Sequence, residues 1–166
     1  MITMSKEETI NWLSERDIIE DNIFNNYELK LSEQLPIDSG AKNYLAKEIS
    51  SALNKNDVLL YINEYNIWPS CENMHLFDGY RKSIGIENEI YEKPSHIINE
   101  NETIEFYCIL GMILYFSMGC IIIPIENQNE IIRISHDEYI DLYIKKGTDG
   151  NIFLNKIINI TNGLKE

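Results

Sequence analysis

The chain has 166 residues, 44% of them hydrophobic and 25% charged, the size and balance of one ordinary globular domain, which argues against a disordered chain, a coiled coil and a multi-span membrane protein. Its 27 acidic against 14 basic residues give a formal net charge of -13. That charge repels phosphate backbones and anionic lipid heads, so the expected partner is a basic protein, with no direct nucleic acid and no membrane.

The acids are not evenly spread. Residues 64–105 carry 9 acids against 3 bases, the most acidic stretch for its length. The three cysteines, Cys71, Cys108 and Cys120, make no paired framework, and the first residues lack a basic segment followed by an apolar one. A reducing, cytoplasmic setting is therefore expected.

In chain order, Ser5 and Glu8 match a capping box for a helix through Trp12, Leu13, Ile19 and Ile23, expected to run to about Phe24. Asp38 is placed to cap a second helix with Ala41, Leu45, Ile49 and Leu53 on one face. Val58–Ile62 is unbroken and apolar, too short for a buried helix and suited to a strand covered on both faces. Ser70 can cap a helix with Met74, Phe77, Tyr80 and Ile84, closed by Gly85. Residues 86–98 show no clear period and read as loop with at most a short strand.

Asn99 and Glu102 form another capping box and open the core helix. Phe106–Ile125 contains no charged residue. It reads as helix, then stop at Gly119, then strand, because the composition switches there to β-branched Ile121, Ile122 and Ile123. Its acidic flanks, Glu105 and Glu126, do not resemble the Lys/Arg-rich edges of a membrane span. On this reading Gly111 is a core position, where a carboxylate would cost several kcal/mol. Glu126–Asn129 is a hairpin turn leading to a return strand over Glu130–Ser135. Ser135 and Glu138 read as a third capping box, for a helix with Tyr139, Ile140, Tyr143 and Ile144 ending at Lys145-Lys146-Gly147, and 151–161 reads as a last helix. The expected fold is thus α+β, a small three-stranded sheet (about 57–62, 120–125 and 130–135) packed by about six helices in one domain spanning 1–166.

No motif of known chemistry is present, and no cofactor or metal is implied. Cys71 and His75 stand four apart on a helix, but two ligands do not make a structural zinc site. Ser135-His136-Asp137 has the letters of a catalytic triad, yet adjacent side chains point apart and cannot align. A hydrolytic site would draw on His75, Tyr80, Arg81 and His96 within the Trp68–His96 region, as acid, base and phosphate clamps; the surrounding acids oppose such a substrate. The more coherent cluster is Glu64, Tyr65, Trp68, Glu72, Asp78, Glu87, Glu89, Tyr91 and Glu92. Aromatic anchors among acids suit recognition of a basic protein.

Trp68-Pro69-Ser70-x-Glu72, then Phe77-x-x-x-Arg81-x-Ser83-x-Gly85 and Pro94-Ser95-His96, make residues 57–140 resemble small bacterial immunity proteins of polymorphic toxin systems, including contact-dependent growth inhibition. The resemblance implies a non-enzymatic, cofactor-free cytoplasmic inhibitor that binds the C-terminal domain of a cognate toxin. It leaves the toxin's identity and any homo-oligomer open. The acidic balance agrees independently, since a negative surface can cover the substrate-binding face of a basic nuclease. The competing expectation is a small cytosolic hydrolase of nuclease or phosphodiesterase type.

Overall fold

A computed structural model describes residues 1–20, 23–53, 56–65 and 71–148, with backbone alone at 20, 23 and 71–73. Strand β1 (Ile2–Met4) leads into helix α1 (Lys6–Glu15), the short strands β2 (Ile19–Glu20) and β3 (Ile23–Phe24), and strand β4 (Tyr27–Gln34). Helix α2 (Ser39–Leu53), strand β5 (Val58–Glu64), helix α3 (Cys71–Ser83) and strand β6 (Ser95–Ile98) follow. A single 3-10 turn (Glu100–Glu102), helix α4 (Thr103–Tyr115) and strands β7 (Gly119–Pro124), β8 (Glu130–Ile134) and β9 (Tyr139–Lys145) complete the order.

Seven strands form one antiparallel sheet in the order β1-β6-β5-β7-β8-β9-β4, and β2 pairs only with β3. The period-2 geometry of strands sorts the core into two layers. On one face Val58, Leu60 and Ile62 of β5, Cys120 and Ile122 of β7, Ile132 and Ile134 of β8, and Ile140, Leu142 and Ile144 of β9 pack under Leu45, Ile49, Phe77, Phe106, Ile109 and Ile113 of the helices. On the other, Leu59, Tyr61, Ile121, Ile123 and Ile131 meet Leu13, Ile18 and Tyr27. The central strands read as continuous apolar runs because both their faces are covered.

The capping boxes at Ser5–Glu8 and Asn99–Glu102 both form, and Asp38 accepts from the Ala41 amide at 2.9 Å, so the starts of these elements follow from local chemistry. The 106–125 run divides as its composition indicates, α4 ending at Tyr115 and β7 beginning at Gly119. No helix among the described residues is long and apolar enough to cross a membrane.

The expected three-stranded sheet with about six helices is corrected to a seven-stranded sheet with four α-helices among the described residues. The first helix stops at Glu15, where Asp17 adopts a left-handed φ of 56° and turns the chain. The segment 135–145, expected as a helix, is half of a hairpin. Ser135 N donates to Tyr139 O at 2.9 Å, Glu138 N donates to Ser135 O at 3.1 Å, and Glu138 takes φ 64°. That is a three-residue hairpin loop closed by a left-handed residue. Ile140 and Ile144 are four apart, a spacing that suits one face of either a helix or a strand, and the buried Leu142 between them decides for the strand. Strand β4 escaped detection because it is an edge strand with a bulge between Leu29 and Leu31 and little burial. The helix expected over 151–161 lies outside the described residues.

Candidate functional site

The site is built on α3 and the loop that follows it. Phe77 is fully buried and fixes one face of the helix against the core, where Met74 one turn earlier also packs, while His75, Asp78, Gly79 and Lys82 line the cleft beside it. Gly85, at φ 87°, ends the helix. Its amide donates to Lys82 O at 3.1 Å and that of Ile86 to Arg81 O at 2.9 Å, the paired bonds of a Schellman cap, with buried Ile86 supplying the usual apolar contact.

Arg81 fastens the loop to the helix. Its side chain is fully buried; Nη1 donates to Asp78 Oδ1 at 3.0 Å, Nη2 to Lys93 O at 2.7 Å and Nε to His96 Nε2 at 3.2 Å. Asp78 Oδ1 also accepts from the Ile90 amide at 3.0 Å. Since a guanidinium can only donate, His96 Nε2 must accept, and the imidazole proton resides on Nδ1. That nitrogen is buried without a hydrogen-bond partner. Burial, and then the Arg81 charge, push His96 down to about 3, so the ring is neutral.

Above this bolt lies a cleft of about 370 Å³, lined by Tyr65 from the end of β5, by Met74, His75, Asp78, Gly79 and Lys82 of α3, and by Glu89 and Tyr91 of the loop. Tyr91 is 61% exposed. The Glu89 carboxylate, in hydrogen-bonding reach of its hydroxyl, raises the phenol above its ordinary value. Glu92 folds back to accept from the Glu89 amide at 3.3 Å, and Glu87 beside it is exposed. The lining sets the rings of Tyr65 and Tyr91 beside the Glu89 carboxylate, the Arg81-paired Asp78 and one cation, Lys82, so the ring faces and Glu89 are the groups that can hold an organic cation.

Of the residues expected to meet a partner, Tyr65, Asp78, Glu89 and Tyr91 line this one cleft, and Glu87 and Glu92 stand on the same loop. Trp68 lies outside the described residues, as does the side chain of Glu72. Glu64 stands apart from this cleft: its carboxylate turns to His136, 3.0 Å from both the backbone amide and ring Nδ1, and to Arg133 Nη2 at 3.4 Å. Burial opposes its ionisation, but the His136 hydrogen bonds and the Arg133 charge hold it below the usual value. Asp78 is divided between the cleft and its structural duty to Arg81. Met74, Gly79 and Lys82 were missed as site residues, although the four-residue steps from Met74 through Asp78 to Lys82 place one stripe of α3 alongside the acids.

The residues considered for hydrolysis do not converge. His96 and Arg81 are fully buried and hydrogen-bonded to each other, His75 faces the cleft, and Tyr80 lines a separate groove with Asn43, Tyr107 and Cys108. Among the described residues no three His, Cys, Asp or Glu side chains gather as a metal site would require. Comparison with protein-family models, with curated proteins and with solved structures finds no match to this chain.

Proposed function

We propose that this chain is a protein-binding module that neutralises a cognate toxin's C-terminal domain in the cytoplasm, as an immunity protein, by receiving a basic side chain in the Tyr65–Tyr91 cleft. The observation that supports it best is the convergence of Tyr65, Asp78, Glu89 and Tyr91, from a strand, a helix and a loop, on one accessible cleft. Aromatic and carboxylate groups together select Lys or Arg, and the net charge of -13 steers a basic partner toward the encounter. Neither buried His96 nor buried Arg81 is placed to serve a solvent-borne substrate, so binding is the better reading.

The test is to look for a toxin-like domain encoded beside this chain and to measure co-expression rescue and direct binding with it. Complex formation at low salt is expected. Glu87→Lys with Glu92→Lys should slow association, and Tyr91→Ala should speed dissociation, because steering acts on the on-rate and buried anchors on the off-rate. Equal cell death with and without the chain, or no complex at micromolar concentration and low salt, would refute the proposal.

A further inference from the structure

A second cleft lies on the opposite face of the sheet. It has a volume of about 490 Å³ and is enclosed by α1, the β2–β3 pair and strands β5, β7, β8 and β9. Leu13, Tyr27, Tyr61 and Ile121 among its lining residues are buried, and Phe24 packs against Tyr143 with ring centroids 4.7 Å apart. Such a volume with a few polar groups among apolar walls is that of a small-molecule site.

The sheet register shows that the cleft is polarised along its length. Met4, Ser95, Tyr61, Ile121 and Arg133 are successive cross-strand partners, so Lys6, two residues after Met4, and Asn63, two after Tyr61, lie at the Arg133 end. Tyr143 pairs with Ile131 and Tyr27 with Lys145, which puts the aromatic wall at the other end. In a chain with 27 acids and 14 bases, the described lining residues include Lys6 and Arg133 and no carboxylate.

The Arg133 guanidinium has the Tyr143 hydroxyl and two carboxylates as neighbours, and neither acid holds it at close range. Glu64 reaches it at 3.4 Å and Asp141 at 3.9 Å, both long for charge-assisted bonds. The first acid is drawn toward His136 at 3.0 Å and the second accepts from the Ser32 hydroxyl at 2.6 Å. Lys6 makes no ion pair among the described residues. One end of the cleft therefore offers donors for an anionic head, and the other offers rings for an apolar body.

We propose that this cleft binds a small amphipathic carboxylic acid, its carboxylate between Lys6, Asn63 and Arg133 and its ring or branched body against Ile121, Phe24 and Tyr143. Bidentate acceptance from Arg133 fixes the head, and desolvation of the body against the rings supplies most of the affinity. This site is separate from the Tyr65–Tyr91 cleft and stands whether or not a toxin is the protein's partner.

The experiment is an amide chemical-shift titration with three probes of one ring system, 2-naphthoate, 2-naphthamide and 2-naphthylmethylamine. The proposal expects naphthoate to bind at least ten-fold more tightly than the other two, with shifts concentrated on α1, β8 and the β2–β3 pair. Lys6→Met should weaken naphthoate at least three-fold and leave naphthamide unchanged; Ile10→Glu, which adds a carboxylate at the mouth, should weaken naphthoate at least ten-fold. Both positions are exposed, so neither variant depends on the Arg133 ion pairs for folding. Equal binding of acid and amide, preference for the amine, shifts centred on Tyr65 and Tyr91, unchanged affinity in both variants, or no binding at millimolar probe would each overturn it.

Discussion

Glu64 occupies the space that any side chain at position 119 would need: a Cβ added to Gly119 would stand 2.1 Å from Glu64 Oε2 and 2.7 Å from both its Cβ and Cδ. Glu64 cannot swing aside freely, because His136 holds its carboxylate through two contacts of 3.0 Å. Gly119→Ala should therefore destabilise the fold by about 2–3 kcal/mol, the range of an overpacked core. The same substitution in a Glu64→Ala background should cost less, because two of the three close contacts disappear. Urea denaturation of the double-mutant cycle measures the coupling, and additive losses would show that the two positions do not compete for space.

His96 gives a pH dependence with a defined sign. Its folded-state value of about 3 lies below the ordinary 6.5, so the unfolded chain binds the proton more readily. The stability contributed by neutral His96 is complete above about pH 6.5 and is lost as pH falls toward about 3. Glu64 and Glu138 are themselves held low and add their own loss only below about 4.5. Between pH 6.5 and 4.5 the slope should approach about 1.4 kcal/mol per pH unit from this one group. His96→Gln, which keeps an acceptor for Arg81, should flatten that window in denaturation curves; an unchanged slope would mean that another group titrates there.

Arg81→Met should cost about 3–5 kcal/mol, because it leaves Asp78 without its buried counter-charge and Lys93 O without its donor. The damage should extend to the site. Backbone amides from Ile86 to Lys93 should exchange faster with solvent relative to those of β5 and β7, since Arg81 bonds to both the loop's end and the carboxylate that holds Ile90.

The acidic segment should separate into two classes by substitution. Glu87→Lys and Glu92→Lys, at exposed positions, should each change stability by no more than about 0.5 kcal/mol. Asp78→Lys should unfold or strongly destabilise the chain by setting a cation against buried Arg81. Thermal melts of the three variants distinguish these outcomes directly.

Gly111 was expected in the core, and the structure revises that expectation. It is half-buried where α4 faces α2, and an added Cβ would meet Asn43 Oδ1 at 3.9 Å and Ala46 Cβ at 4.0 Å, both ordinary contacts. Gly111→Ala should stabilise the helix by about 0.5–1 kcal/mol and raise Tm by about 1–4 °C. A lowered Tm would show that α2 and α4 need the closer approach.

The legible parts of the fold were those whose local signals have a single reading. Val58–Ile62 and the apolar residues after Gly119 fit only a doubly covered strand. Capping chemistry marked α1, and Asp38 marked the start of α2. The segment after Ser135 misled because Ser-His-Asp-Glu can cap a helix or close a hairpin, and pairing with β8 and with the distant β4, where Tyr27 meets Lys145 and Gln34 meets Tyr139, decides which. Charge and aromatic content led to Tyr65, Asp78, Glu89 and Tyr91, yet composition could not show which way Glu64 turns. That is set by the bulge between Ile62 and Glu64 opposite β7 and by the missing side chain at Gly119. Lys6, Asn63 and Arg133 carry no local signal as a group, since only the sheet order brings α1, β5 and β8 to one cleft.

The strand order also governs when the protein can fold. Strands β1 and β4 come from the first 34 residues and occupy opposite edges of the seven-stranded sheet, where Ile2 pairs with Ile97 and Tyr27 with Lys145. These two strands thus wait for partners made much later in the chain. At about 5–20 residues per second, roughly 5–20 s separate the synthesis of β4 from that of β9, during which β4 has no sheet to join. Closure of the β4 edge is then a late, non-local step that slows folding, and the charges of Glu28, Lys30 and Glu33 along that strand keep it from pairing with a neighbouring nascent chain in the interval.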